Sequence, residues 1–336
     1  MPFDSFLGNR RTIERLRAKL KQDRFPHGII FSGTDGIGKR TCALMVAKAL
    51  NCVNSPVGDF CGECSQCRKI DAGMHPDVIH IGLEEDASEI KIAQIREATR
   101  MLTFRPLEGR NKVFIIDPAN QLNPSSSNAL LKGLEEPPDN SYFILLTNRL
   151  QALLPTVRSR CQSYIFTPLS LEELRQFGNL QGSTDELTLR WSHGSIGTYR
   201  TLHTATLKAQ RESILEFIEV AVLATEEQFR ELLAISKDIA GTKQDFAGNL
   251  ELIGVLLTDL LYLKEGFSEH LVNRDVLVRL EKLSSRISTE HLIRLIEFLA
   301  MMETSMKTNV NRPMLTEVLA LTGNLALAKI LDDNNR

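Results

Sequence analysis

A chain of 336 residues is too long for one ordinary hydrophobic core, so two or three domains are expected. With 43% hydrophobic and 24% charged residues and a formal net charge of −2, the composition is that of a globular protein, and it excludes a chain that holds nucleic acid by bulk positive charge. No continuous apolar run reaches the roughly 18 residues that span a bilayer, and the polar N-terminus is not a secretory signal, so a cytoplasmic location without membrane contact is expected.

Phe3 to Leu7, followed by Gly8, reads as a short docking turn. Arg10 to Gln22 then carries Ile13, Leu16 and Leu20 on a helical stripe. Its Arg10, Arg11, Arg15, Arg17, Lys19 and Lys21 read as a solvated face before they read as a phosphate contact. Next comes an apolar run, Gly28 to Phe31, then Gly33-Thr34-Asp35-Gly36-Ile37-Gly38-Lys39-Arg40-Thr41, then a helical pattern from Cys42 to Leu50. The spacing of Gly33 from Gly38-Lys39 is that of a phosphate-cradling loop, in which glycines let backbone N–H groups converge on an anion at a helix N-terminus and the lysine reaches the outer phosphates. The alternative is a tight strand-to-helix turn that binds nothing. The position after the lysine should offer a hydroxyl to Mg²⁺, yet it holds Arg40; Thr41 has the hydroxyl but lies roughly 100° further round the helix. ATP or ADP is therefore a candidate ligand, and Mg²⁺-dependent hydrolysis is disfavoured.

Cys52 and Cys61-Gly-Glu-Cys64-Ser-Gln-Cys67 supply four thiolates, enough for a closed tetrahedral site for structural Zn²⁺. His75 is a spare ligand, and Cys42 and Cys161 read as buried apolar residues. Asp77 to Gly82 reads as a strand and Ile90 to Thr103 as a helix. Lys112 to Asp117 is an apolar strand that delivers a carboxylate to its C-terminal edge, where Asp117 is placed to hold Mg²⁺ or water. A glutamate that polarises the attacking water would come next in an ATPase, but Pro118 stands there. Pro124 to Glu135 starts as a serine-capped helix and ends at Pro137-Pro138, with Glu135 and Glu136 read as a solvated terminus. Ser141 to Leu146 and Ser163 to Phe166 complete the strands; Thr147-Asn148 sit at a ligand-binding edge, and Arg158-Ser159-Arg160 lies on the domain rim. Alternating strands and helices up to Phe166 predict a doubly wound parallel sheet. Beyond Pro168 the pattern is helical only: a small unit near Ser170 to Thr204, then amphipathic segments Ser213 to Leu223, Glu227 to Ile239, Leu250 to Leu263, Val276 to Ile287 and Glu290 to Met302.

Taken together, the phosphate loop, the four-cysteine insertion, Asn128-Ala129-Leu130-Leu131-Lys132 running into Leu134-Glu135-Glu136-Pro137-Pro138, Ser159-Arg160-Cys161, and Asn309 to Leu315 with Glu317 resemble the bacterial clamp-loader subunits of the AAA+ class. The resemblance covers essentially the whole chain. It implies an AAA+ P-loop domain over 1–167 with a zinc module at about 52–67, a helical lid over 168–205, and a helical collar over 206–336. It also implies a hetero-pentamer with gamma/tau and delta subunits that loads a sliding clamp onto primer-template DNA for DNA polymerase III. By motif, Arg160 matches the arginine finger that enters a neighbour's ATP site, while Gly33, Gly36, Gly38, Lys39, Arg40, Thr41, Asp117 and Thr147 match the nucleotide site. A motor subunit would carry Lys-Thr, Asp-Glu and a lid arginine after Gly-Ser; here stand Lys39-Arg40, Asp117-Pro118 and Gly194-Ser195-Ile196-Gly197. These departures point to a subunit that completes its neighbour's site without hydrolysing ATP. An active ATPase of gamma/tau type, with Thr41 and Asp117 on Mg²⁺, is the alternative; a zinc-dependent nucleic-acid-binding module with the cysteine insertion as reader, for which Arg68 and Lys69 offer little charge, is a third reading.

Overall fold

In the computed structural model, which describes residues 2–22, 25–54, 58–85, 87–181, 185–223, 229–305 and 311–323, the chain forms two compact units. The first comprises residues 1–184 with 192–201, and the second 185–191 with 202–336.

The first unit is built on a five-stranded, all-parallel sheet in the order β2-β3-β4-β1-β5. The strands are β1 (Gly28–Ser32), β2 (Val78–Ile81), β3 (Lys112–Ile116), β4 (Ser141–Thr147) and β5 (Gln162–Ile165). Every residue of β1 and β3 is buried, as expected of strands covered by helices on both faces. The side chains divide by parity. Ile29, Phe31, Val113, Ile115, Ile144 and Leu146 pack on one side with α1 (Arg10–Lys21) and α2 (Lys39–Asn51). Ile30, Phe114, Ile116, Phe143 and Leu145 pack on the other with α4 (Ile92–Met101) and α5 (Pro124–Glu135). Short helices α3 (Ser65–Asp71) and α6 (Pro155–Arg158) fill the connections, and α7 (Leu171–Gln181) and α9 (Ile196–Thr201) complete the unit. The strand and helix expectations hold, with two revisions: Ile90 precedes α4 and bridges to Leu122, and α5 is capped by Asn123, whose side chain accepts from Ser126 N at 2.9 Å, and not by a serine.

A buried carboxylate fixes the sheet's entry edge. Asp77, fully buried ahead of β2, accepts backbone N–H bonds from Leu107, Glu108 and Gly109, each at 2.8 Å. Burial pushes its carboxyl up, but these donors, helped by His75, hold it below the usual carboxylate range. A depressed folded-state pKa stabilises above the unfolded value and is lost as pH falls through the folded one. Asp77→Asn should therefore weaken the fold by about 3 kcal/mol at neutral pH and by progressively less in acid. Denaturant melts of both proteins at pH 7 and below pH 4 check this.

The second unit is a helical bundle: α8 (Glu186–Trp191), α10 (Thr204–Leu223), α11 (Phe229–Ala240), α12 (Lys243–Lys264), α13 (Leu277–Ser284), α14 (Thr289–Ser305) and α15 (Arg312–Gly323). The expected segments reappear with shifted ends; Glu227, Gln228, Asn309 and Val310 lie outside the described residues. α12 is long and apolar enough to cross a membrane by length and composition. Its Leu250, Ile253, Leu256 and Leu260 instead form the bundle's core. Asp259, on the same helix and buried, accepts from Val272 N, Asn273 N and Asn273 Nδ2 at 2.8–2.9 Å. Asn273 in turn accepts from Trp191 Nε1 at 3.1 Å, which ties α8 into the bundle. Asp259→Ala strands the backbone N–H groups of half-buried Val272 and buried Asn273 and should lower stability by about 3 kcal/mol in a denaturant titration.

Candidate functional site

The loop between β1 and α2 has the backbone that the glycine spacing demands. Gly36 and Gly38 adopt φ of +73° and +96°, a region costly for other residues. A Cβ on Gly36 would sit 2.2 Å from Ser195 Oγ. Lys39, 7% exposed, turns back along the loop: its Nζ donates to Gly33 O at 2.6 Å, to Thr34 O at 2.7 Å and to Asp35 at 3.3 Å. Asp35 also accepts from Asn148 Nδ2 at 2.7 Å. The turn ahead of α9 abuts the loop, with Gly197 N donating to Gly36 O at 2.9 Å and Ser195 Oγ to Asp35 O at 3.0 Å.

Above the loop lies a cavity of about 530 Å³, lined by Asp35 to Thr41, by Asp117 at the end of β3, and by Phe177 and Arg200 among others. It thus gathers Gly36, Gly38, Lys39, Arg40, Thr41 and Asp117. Gly33 and Thr147 are not part of its lining: Gly33 N donates to Thr147 O at 3.1 Å, and the buried Thr147 hydroxyl accepts from Arg149 N at 3.0 Å. Burial raises the Asp117 carboxyl above its usual range, against the opposing pull of Arg40 and Lys39. His80, on the neighbouring strand, is held below its usual value by burial and by Arg40. Arg200 was not anticipated; its position three residues beyond Gly197 on α9, on the same helix face, was the available signal.

Arg160 lies elsewhere. Its carbonyl sits 3.1 Å from where a Cβ on Gly28 would be, so it flanks the start of β1, whereas the phosphate loop leaves the other end. Four strand steps separate the two by roughly 13 Å, so Arg160 does not serve the chain's own loop. Its guanidinium is on the rim, paired with Glu135 at 2.6 Å and donating to Thr156 O at 3.1 Å. Glu135 is thus a partner as well as part of a solvated helix end.

The four cysteines converge, with all Sγ atoms within 4.8 Å of one another. Cys52–Cys61 and Cys52–Cys64 measure 3.6 and 3.9 Å, matching the roughly 3.8 Å sulfur spacing of a tetrahedron with 2.3 Å Zn–S bonds. Backbone N–H groups of Cys61 and Cys64 point at the sulfurs of Cys52 and Cys61, each at 3.3 Å. Burial pushes the Cys64 thiol up, but hydrogen bonds from Cys67, Val53 and Cys61 outweigh it and bring it to about 6. The donor set fits Zn²⁺. His75 is not a ligand: Nδ1 accepts from Asp77 N and Nε2 meets Gln66. Cys42 and Cys161 stand apart, their thiols raised by burial, Cys161 to about 12.

A five-stranded parallel sheet with a glycine-lysine loop at its C-terminal edge and a four-cysteine module beside its entry edge defines a P-loop protein of the AAA+ type. Family models described as "DNA polymerase III, delta subunit" and "DNA polymerase III, delta subunit, C terminal" match residues 8–170 and 206–323. The tau/gamma subunit of Haemophilus influenzae DNA polymerase III is 38% identical over 174 residues, 52% of this chain and 25% of that protein. The delta' subunit of Bacillus subtilis is 36% identical over 159 residues, 47% of each chain. A gamma subunit-related protein of Thermotoga maritima superposes over 92% of this chain and 98% of its own at 18% identity, with a TM-score of 0.44, too loose a likeness to argue from. This chain spans between a quarter and about half of the length of the curated relatives it matches first. The chain belongs to the DNA polymerase III clamp-loader subunit family.

Proposed function

We propose that this chain is a clamp-loader subunit of delta-prime type: a stator that joins gamma/tau and delta subunits, helps load the sliding clamp on primed DNA, and does not hydrolyse ATP itself. In this reading 1–167 is the nucleotide-binding domain, 168–205 the lid and 206–336 the collar through which the ring assembles.

The observation that carries the reading is the position of Arg160. A guanidinium at the edge opposite its own phosphate loop can neutralise a transferring phosphoryl group only in a neighbouring subunit. Its exposed pair with Glu135 is worth about 0–1 kcal/mol, so the arginine is readily released to a partner. Beside the chain's own loop, the hydroxyl for Mg²⁺ is replaced by Arg40, the glutamate by Pro118 and the lid arginine by Gly197. Mixing the purified chain with gamma/tau and delta subunits and separating the products by size tests assembly. Co-elution as one complex is expected, and elution of this chain alone overturns the reading.

A further inference from the structure

The cavity over the phosphate loop does not fit a magnesium ion. In P-loop sites the metal is held by the hydroxyl after the lysine and by the strand-end carboxylate, directly or through water. Here Arg40 and Asp117 occupy those two places and line the same cavity. A cation standing at the ligand position repels a second cation, and its field already acts on Asp117 and His80. Thr41 offers a hydroxyl from the next position, about 100° round the helix.

Arg40 also has the properties of a substitute. It is exposed and forms no ion pair among the described residues, whereas Lys39 is committed to the loop carbonyls. Its planar fork matches two phosphate oxygens at once. Arg200 adds a cation at the cavity's other wall, stacked 5.1 Å over Phe177. Phe6, Met45, Leu146 and Leu180 give the remainder an apolar lining suited to a base.

We infer that this cavity binds a nucleoside di- or triphosphate without a divalent cation, with the Arg40 guanidinium in the role that Mg²⁺ plays in a motor subunit. The inference rests on the reading of residues 33–41 as a phosphate site, but not on Arg160 or on ring assembly. A nucleotide held this way is a structural ligand of the stator.

The test is a fluorescence titration of the purified full chain with N-methylanthraniloyl-ADP and -ATP. One buffer contains Mg²⁺ and the other has been passed over a chelating resin; EDTA is left out so that zinc held by the thiolates stays in place. The wild-type chain should bind with dissociation constants that agree within about twofold in the two buffers, because the guanidinium is always present. Arg40→Thr should bind about tenfold more weakly without metal and recover when Mg²⁺ is added, and Arg40→Ala should be weak in both. Wild-type binding that needs Mg²⁺, no binding in either buffer, or an Arg40→Thr variant equal to wild type without metal would each overturn the inference. Ring assembly, read separately by size, is untouched by any of these results.

Discussion

Arg160→Ala should leave the reconstituted loader assembled but lower hydrolysis at the neighbouring subunit's site by about a thousandfold or more, the range over which a trans-acting arginine works. In a DNA-stimulated ATPase assay, total turnover falls to what the other sites supply. Arg160→Lys should fail to rescue, because an ammonium lacks the fork that spans two phosphate oxygens. Glu135→Ala is the complementary control. It removes the ion pair that Arg160 makes among the described residues, so activity should stay at the wild-type level. Full turnover by the Arg160→Ala loader would mean that the arginine is a rim residue and nothing more.

The second large effect concerns the thiolate cluster. Elemental analysis should give one zinc per chain, and Cys67→Ser, which alters a fully buried sulfur, should abolish its retention. Structural zinc contributes apparent free energies of about 10–16 kcal/mol in isolated peptides, comparable with the whole stability of a domain. Its loss should therefore exceed the effect of any single core substitution here. The damage should spread along identifiable contacts. Cys52 caps α2, whose last residue Asn51 accepts from Arg110 N and Asn111 N just ahead of β3. Asp59 pairs with Arg17 of α1 at 3.0 Å, and Phe60 packs edge-on against Phe3 at 5.5 Å. Hydrogen exchange should rise across residues 58–72 and at the start of β3 in the serine variant. A wild-type protein purified without chelator and free of zinc would remove this account of the module.

Much of this was legible because the informative interactions are local. Short, β-branched apolar runs such as Val113 to Ile116, bounded by polar residues, read as buried strands, and the loop glycines and cysteine pairs act over a few residues. What sequence reading missed depends on distant partners. Asp77 looked like the first residue of a strand, yet its three donors lie some thirty positions away. Nothing in Glu186 to Trp191 says that α8 packs with the helical bundle; that follows from Trp191 meeting Asn273. Thr147 was rightly placed at the sheet's edge, but its hydroxyl turns to Arg149 N and leaves the cavity to Asp117. Arg200 escaped notice because the lid arginine was sought at Gly197, one turn earlier on the same face.

The most direct test is to measure ATP turnover by the purified chain alone and again after mixing with gamma/tau and delta subunits. No turnover alone, with turnover in the mixture that depends on Arg160, is the expected result. Steady hydrolysis by the isolated chain, abolished by Lys39→Ala, would contradict it.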